Sequence, residues 1–353
     1  MTVRLLCVAA LAAAVSASAS GAGRPTPAVP RLRPAPSIAV PAAFRAELYA
    51  GGLRRPTAMA FGPDGLLYVA QEEGAIAAVG RGSVRPRVVA GGFATPLGLA
   101  WQGRTLFVSA QGSLTRLRLA GRRLTGRRTI LSGLPHGRHQ QVNVAVGPDG
   151  RLYLGSGSTC DVCAERDRRS AAILTLRPDG SDLRVFARGL RNPYGLAFEP
   201  RTGRLFVSVN NRDDLGTSEP AESVVVARRG AHYGWPACWP SWRTRLLAGS
   251  CRGAAPPLAY LEPHSSANGM AFSTGETFPR AYRGKLFVAE WGQYLSRRWG
   301  RKVVRVDPRT GRVLPFADGF DHPLAVAAEP RGGILVADWG RGVIYRIQAR
   351  GAA

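Results

Sequence analysis

ARGLRNPYGLAFEPRTGRLFVSV, residues 187–209, holds the pattern that decides the fold. A short segment ends in glycine and a polar loop follows. Two apolar runs then come in succession, Tyr-Gly-Leu-Ala-Phe and Leu-Phe-Val-Ser-Val, with a turn between them. Runs of this length and composition read as strands, and Pro-Arg-Thr-Gly reads as a tight turn joining antiparallel neighbours. The unit recurs at 50–70, 90–110, 132–156, 264–290 and 318–338. A third apolar run usually follows, such as AIAAV (75–79) or KVVRV (302–306), and a fourth precedes the next copy. Six units of four strands predict an all-β chain, a six-bladed β-propeller of four-stranded antiparallel blades. FRAELYAGG (44–52) precedes the first copy and has no blade of its own. Set beside VIYRI (343–347), this N-terminal strand closes the ring and leaves no long free edge. Two packed β-sandwiches are the competing architecture, and they do not account for six matched units.

The ends of the chain read differently. Arg4, the apolar stretch 5–15 and Ala17-Ser18-Ala19 form the charged, apolar and cleavage regions of a secretory signal peptide over 1–19. Residues 20–43 are rich in Pro and Ala and read as an extended linker, which leaves 44–351 for the propeller. No other stretch is long and apolar enough to span a bilayer, so the expected location is secreted, either extracellular or in the cell envelope or periplasm. Four cysteines follow the leader, an even number that suits an oxidising compartment. The expected disulfides are Cys160–Cys163 and Cys238–Cys251. The net charge of +25 is carried almost entirely by arginine. It suits attraction to polyanions or to an anionic cofactor. No nucleic-acid partner is expected, because no recognition helix or RNA-binding signature appears.

In a propeller the first strand of each blade lines the channel, and the residues just before it sit at one mouth. Aligning the six copies gives Arg54-Arg55, Ala94-Thr95, His139-Gln140, Arg191-Asn192, Ser265-Ser266 and Asp321-His322 at that mouth. Five of the six pairs carry groups able to bind a polar ligand, and symmetry brings them together.

GLRNPYGLAFEPRTGRLFVSVNNRDDLG with HYGWPACW, RHQQVNVAVGPDGRLYLGSGSTCDVC and HSSANGMAF with FPRAYRGKLFVAEWG resemble the glucose/sorbosone dehydrogenase superfamily. The resemblance covers about residues 44–348, and its nearest branch is the sorbosone and pyranose dehydrogenase-like propellers. It implies an oxidoreductase that takes hydride from a sugar or aldose onto pyrroloquinoline quinone held with calcium. It implies His139 as general base, a task that suits an imidazole. It implies Arg191 and Asn192 as cofactor contacts, the guanidinium stabilising charge that builds as hydride arrives. It places Trp291 and His322 at cofactor-facing positions. Calcium would lie on the loop Asn210, Asn211, Arg212, Asp213 and Asp214, held largely by backbone carbonyls, with Glu222 as an acidic neighbour. The chain departs from the family at Glu290-Trp291 and at Leu324, where relatives carry cations. The substrate would be a sugar or aldose, the electron acceptor is unknown, and the reading leaves room for a homodimer. The alternative function is a non-catalytic propeller that grips an anionic saccharide, an envelope polymer or a protein. A metal-dependent lactonase is a third reading; it needs acidic side chains ringing one ion, and the aligned mouth is richer in cations.

Overall fold

The computed structural model describes residues 31–274, 277–293, 298–330 and 332–351. The described residues form six antiparallel blades of four strands, as the repeats predict, the last extended by the two-residue strand Arg33–Pro34. Their innermost strands are Pro56–Phe61, Gly98–Gln102, Gln141–Val146, Asn192–Phe198, Ala267–Phe272 and Pro323–Ala328. Each adjoins the next around the ring, and the sixth meets the first. Phe44–Ala50 pairs with Val343–Ala349, with Phe44 opposite Ala349 and Leu48 opposite Tyr345. The last blade is therefore completed by the beginning of the chain. Among the described residues no helix is long and apolar enough to cross a membrane.

The signal peptide over 1–19, and the linker as far as residue 30, lie outside the described residues. The rest of the expected linker is not a free spacer. Arg33 and Pro34 pair with Leu48 and Glu47, Ala39 bridges to Asp318, and Ala35 and Ile38 are buried against the last blade. A composition rich in proline suggested an unpacked segment; two apolar side chains aimed at the same core suffice to dock it.

Repeated residues have repeated jobs. In Gly-Pro-Asp-Gly, Asp64 accepts a hydrogen bond from the Leu66 amide and another from the Tyr68 hydroxyl at 3.0 Å. Asp149 does the same for the Arg151 amide and the Tyr153 hydroxyl, also at 3.0 Å. The aspartate thus holds the turn and satisfies a buried phenol at once. Burial and this bond push the Tyr68 hydroxyl up to about 12. Glycine in the innermost strands has a different cause. A Cβ on Gly195 would stand 2.3 Å from the Asn268 carbonyl oxygen, and one on Gly269 would stand 2.7 Å from that of Leu324. Neighbouring innermost strands converge so closely at the channel that only glycine fits there.

The core lies between blades. Phe44 meets Phe278 and Phe316 edge to face, both at 5.1 Å, and Phe287 joins the same cluster. Both expected disulfides are present. Cys238–Cys251 staples a two-stranded ribbon, Cys238–Pro240 with Leu247–Gly249, that is inserted before the outer strand of blade 4. Cys160–Cys163 closes a tight loop beside the channel mouth.

Candidate active site

The mouth loops enter the ring under strain. Arg55, Thr95 and Ser266, each just before or near an innermost strand, have φ of 42°, 42° and 55°. Such left-handed backbone is unfavourable for residues with a Cβ and persists where surroundings fix it. Polar residues ending the second strands tie down the mouth loops of blades 1, 5 and 6. Gln71 Oε1 accepts the Arg54 amide at 2.6 Å, and Asp338 accepts the amides of Asp321 and His322 at 2.8 and 3.0 Å. Glu290 is the corresponding residue of blade 5 and accepts the Ser265 hydroxyl at 3.3 Å.

The loops enclose a cavity of about 750 Å³ to which every blade contributes. One wall comes from blades 3 and 4. Arg191 is 2% exposed. Its Nε donates to the Asp161 carbonyl oxygen, and Nη2 donates to Asp161 Oδ1 at 2.5 Å and Asp213 Oδ2 at 2.7 Å. Nη1 makes only a 3.5 Å contact to the Asn210 carbonyl oxygen, so one of its N–H groups is uncommitted among the described residues. Asp161 lies inside the Cys160–Cys163 loop, so the disulfide helps hold the arginine.

His139 stands on the same wall. Its Nδ1 is 3.2 Å from both the carbonyl oxygen and the hydroxyl of Ser158, and that hydroxyl donates to the Cys160 carbonyl. A carbonyl can only accept, so Nδ1 carries the proton and Nε2 keeps its lone pair. Burial, then the charge of Arg191, pulls the imidazole down to about 3. The ring is a neutral acceptor at ordinary pH.

Asn192 stands opposite Asn210 in the first strand pair of blade 4. Asn268 donates to Ser266 Oγ, and its own oxygen accepts from Asn210 Nδ2 at 3.0 Å. That orientation leaves Asn210 Oδ1 without a partner, and Asn192 Oδ1 is also buried and unpaired. Two residues that line the cavity thus each carry a buried amide oxygen with no partner among the described residues.

In the loop expected to hold a metal largely by backbone carbonyls, most side chains are bonded within the protein. Asp213 accepts from Arg191 and Arg138 and lies 3.4 Å from His264 Nδ1. Burial alone would raise Asp213; the bond from His264 and the arginine charges hold it well below the usual carboxylate range. Asp214 pairs with Arg212, whose guanidinium also reaches the Pro236 carbonyl and the face of Trp239. Asn211 donates to the Ala221 carbonyl, and its amide donates to Glu222 Oε2 at 2.6 Å. Burial pushes Glu222 up to about 7. Of these five residues, Asn210 alone has an unpaired buried side-chain oxygen, and it is also a cavity-lining residue.

The opposite wall is aromatic. Trp291 and Trp339 line it with ring centroids 5.7 Å apart, and Leu324 and Tyr194 lie beside them. Trp339 Nε1 donates to Glu72 at 3.1 Å, and Arg55 lies over the Trp339 ring. His322 does not line the cavity; it packs behind Trp291 at 4.1 Å between ring centroids, near Asp321 and Arg301. Glu290 is also turned away from the cavity. It faces Ser265 and Lys302 in a separate groove between blades 4 and 5.

Several site residues were not singled out from sequence: Arg138, Asp161, Glu72, Trp339 and Asn268. His264 also belongs to the site. Its Nε2 is 2.7 Å from the carbonyl oxygens of both Gly216 and Glu219. Burial lowers its pKa, but the bond to Asp213 and the Glu222 charge outweigh that and bring it to about 9. As an imidazolium it ties the 211–222 loop to blade 5. Trp339 did leave a signal, because Val-Ala-Asp-Trp-Gly (336–340) repeats Val-Ala-Glu-Trp-Gly (288–292).

Glu290 yields a prediction. It is 1% exposed, and burial and the nearby Glu262 charge push it up to about 8 from 4.5. The unfolded chain therefore loses this proton first, and stability falls as pH rises from about 4.5 to about 8. Glu290→Gln stays neutral throughout. Urea unfolding should find it more stable than the wild type by about 3 kcal/mol at pH 9, with little difference at pH 4. Equal curves at pH 9 would contradict a buried neutral acid.

Fold and cavity together define a six-bladed propeller whose reactive groups gather at the channel mouth. The sequence pattern of the Glucose / Sorbosone dehydrogenase family matches residues 99–298, more than half of the chain. The chain belongs to that family. It is 26% identical over 235 residues to a protein of Borreliella burgdorferi, a match covering 61% of each chain. It is 27% identical over 123 residues to the aldose sugar dehydrogenase YliI of Escherichia coli, covering 32% of this chain and 30% of that one. The matches thus span less than two thirds of these relatives' own lengths. The structure resembles the holo form of the pyranose dehydrogenase PQQ domain from Coprinopsis cinerea, with a TM-score of 0.73 and 20% identity. That likeness covers 90% of this chain and 98% of the other.

Proposed function

We propose that the cavity is the active site of a sugar or aldose dehydrogenase that uses pyrroloquinoline quinone with calcium. The observation that carries the reading is the pair of unpaired amide oxygens, Asn192 Oδ1 and Asn210 Oδ1, in one wall with the neutral imidazole of His139. Oxygen donors of this kind suit a hard cation such as calcium. Trp291 and Trp339, inclined at 66° to one another, give an aromatic wall on which one ring face could stack a planar cofactor, and the Arg191 guanidinium suits its oxygens. When bound, the quinone supplies an electrophilic carbonyl that accepts hydride. His139 Nε2 would accept the proton of the sugar hydroxyl. Its Nδ1–H bond to Ser158 fixes the ring for that task. The free N–H of Arg191 Nη1 would face the oxygen on which negative charge builds, and the low-dielectric wall strengthens that contact. Export is part of the proposal. It rests on the 1–19 leader and on two disulfides, which suit an oxidising compartment.

The test is calorimetric titration of calcium-loaded protein with pyrroloquinoline quinone, followed by dye reduction with a panel of aldoses. Calcium-dependent binding and turnover are expected. Absence of binding at every calcium level would overturn the proposal. It would favour a recognition propeller, the reading that Leu324 and Trp291 support by offering no charge to the cofactor's carboxylates.

A further inference from the structure

The arginines are spread along the chain, but the acids are not. Residues 74–148 contain eleven arginines and no aspartate or glutamate. This stretch builds the outer half of blade 1, all of blade 2 and the innermost strand of blade 3. Two of its arginines find acids elsewhere, Arg81 on Glu329 and Arg138 on Asp213. The other nine form no ion pair among the described residues.

Six of them lie on one hairpin, Ser113–Ala120 with Arg123–Leu131, at the rim of blade 2. Arg116 stands opposite Arg128 in this antiparallel pair. Like charges so placed destabilise a sheet, and no acid relieves them. Arg118, Arg122, Arg123 and Arg128 are exposed. Arg127 lies over the Phe93 ring and donates to the carbonyls of Gly91 and Gly92. Arg87 of the neighbouring blade donates to the Arg122 carbonyl at 3.3 Å, so the two rims form one surface. On the blade 1 side, Val84 and Val88 are 59% and 61% exposed. Four large apolar residues are exposed among those described, and these are two of them.

We infer that this rim docks the protein on a membrane surface carrying anionic lipid. Unopposed arginines supply attraction to phosphate headgroups, and Val84 and Val88 enter the boundary beneath them. Charge alone would fit any polyanion; the exposed valines favour the bilayer. A sheet that holds single-stranded nucleic acid offers free aromatic faces for stacking. Here Phe93 is buried under Arg127, and Trp101 packs on Tyr68.

Sedimentation with vesicles tests the inference. The full chain should bind vesicles containing phosphatidylglycerol and ignore vesicles of phosphatidylcholine alone. Binding should vanish as salt rises from about 0.1 M to about 1 M. Combined Arg116→Gln, Arg118→Gln, Arg122→Gln and Arg123→Gln should lower partitioning at least about a hundredfold, since each cation contributes about fivefold. Its melting temperature should not drop, because the Arg116–Arg128 opposition is relieved. Val84→Ser with Val88→Ser keeps every charge and should lower partitioning about tenfold. Failure to bind anionic vesicles, or unchanged binding by the four-arginine variant, overturns the inference. So does unchanged binding by the valine variant together with full competition from soluble polyphosphate, which would assign the rim to a soluble polyanion.

Discussion

Replacing His139 by alanine should lower kcat for aldose oxidation by about a thousandfold, the middle of the range a positioned general base supplies. Quinone binding, followed by calorimetry, should survive the change, because His139 offers the cofactor no charge. The pH profile of kcat/KM carries a second mark of the same residue. An ordinary histidine gains its proton near pH 6.5 and would stop acting as a base below that. Burial and Arg191 hold His139 at about 3, so the unprotonated form is present throughout mildly acidic solution. The wild-type enzyme should therefore show no loss of kcat/KM between pH 7 and pH 5 traceable to this residue. A full-strength His139→Ala variant would remove the histidine from the chemistry. An acid limb near pH 6.5 that disappears in the variant would show that the ring is solvated during turnover.

Replacing Arg191 by alanine should cost about 3 kcal/mol of stability, the lower end for breaking a buried ion pair. The cost is moderated because Asp213 keeps Arg138 and His264, and Asp161 is partly exposed. The same variant should lose measurable quinone binding. Arg191→Lys separates the two effects. A lysine restores a positive charge near the carboxylates, but it cannot reach the Asp161 carbonyl, two carboxylates and the cavity at once. It should recover part of the stability in urea unfolding and none of the binding. Wild-type binding by either variant would mean that Arg191 is only a brace for the Asp161 and Asp213 loops.

The propeller was legible because each blade repeats the same strand, turn and strand pattern, and the period is carried by apolar residues that must face neighbouring blades. The mouth positions followed from that alignment, so His139, Arg191 and Asn192 fell where the cavity is. What the alignment lacked was orientation. Glu290 and Trp291 are adjacent in sequence, and successive residues leaving a strand point to opposite sides. The tryptophan enters the cavity and the glutamate braces the mouth loop, as Asp338 does in blade 6. His322 was placed at the mouth by its position, yet its ring turns behind Trp291. The ion pairs of Arg191 were not legible, because its partners, Asp161 and Asp213, lie 30 and 22 residues away on separate loops. No local pattern announces such a pairing. The side-chain partners of Asp213 in the Asn210–Asp214 loop are likewise distant in sequence, since Arg138, Arg191 and His264 come from other loops.

The blade that shuts the ring holds both ends of the folded chain, Phe44–Ala50 against Val343–Ala349. During synthesis the first of these strands emerges with nothing to pair with, and its partner comes last. Blades can assemble in order as they appear, but the circle is joined only after Val343–Ala349 has emerged. A chain cut short before Val343 would keep five whole blades and the two inner strands of the sixth, with Phe44–Ala50 left without its partner Val343–Ala349. Cutting instead at a surface turn between blades, and linking the native ends, would turn this late seam into an early local hairpin. Such a permuted chain should reach the native ring with its final pairing made between neighbours in sequence.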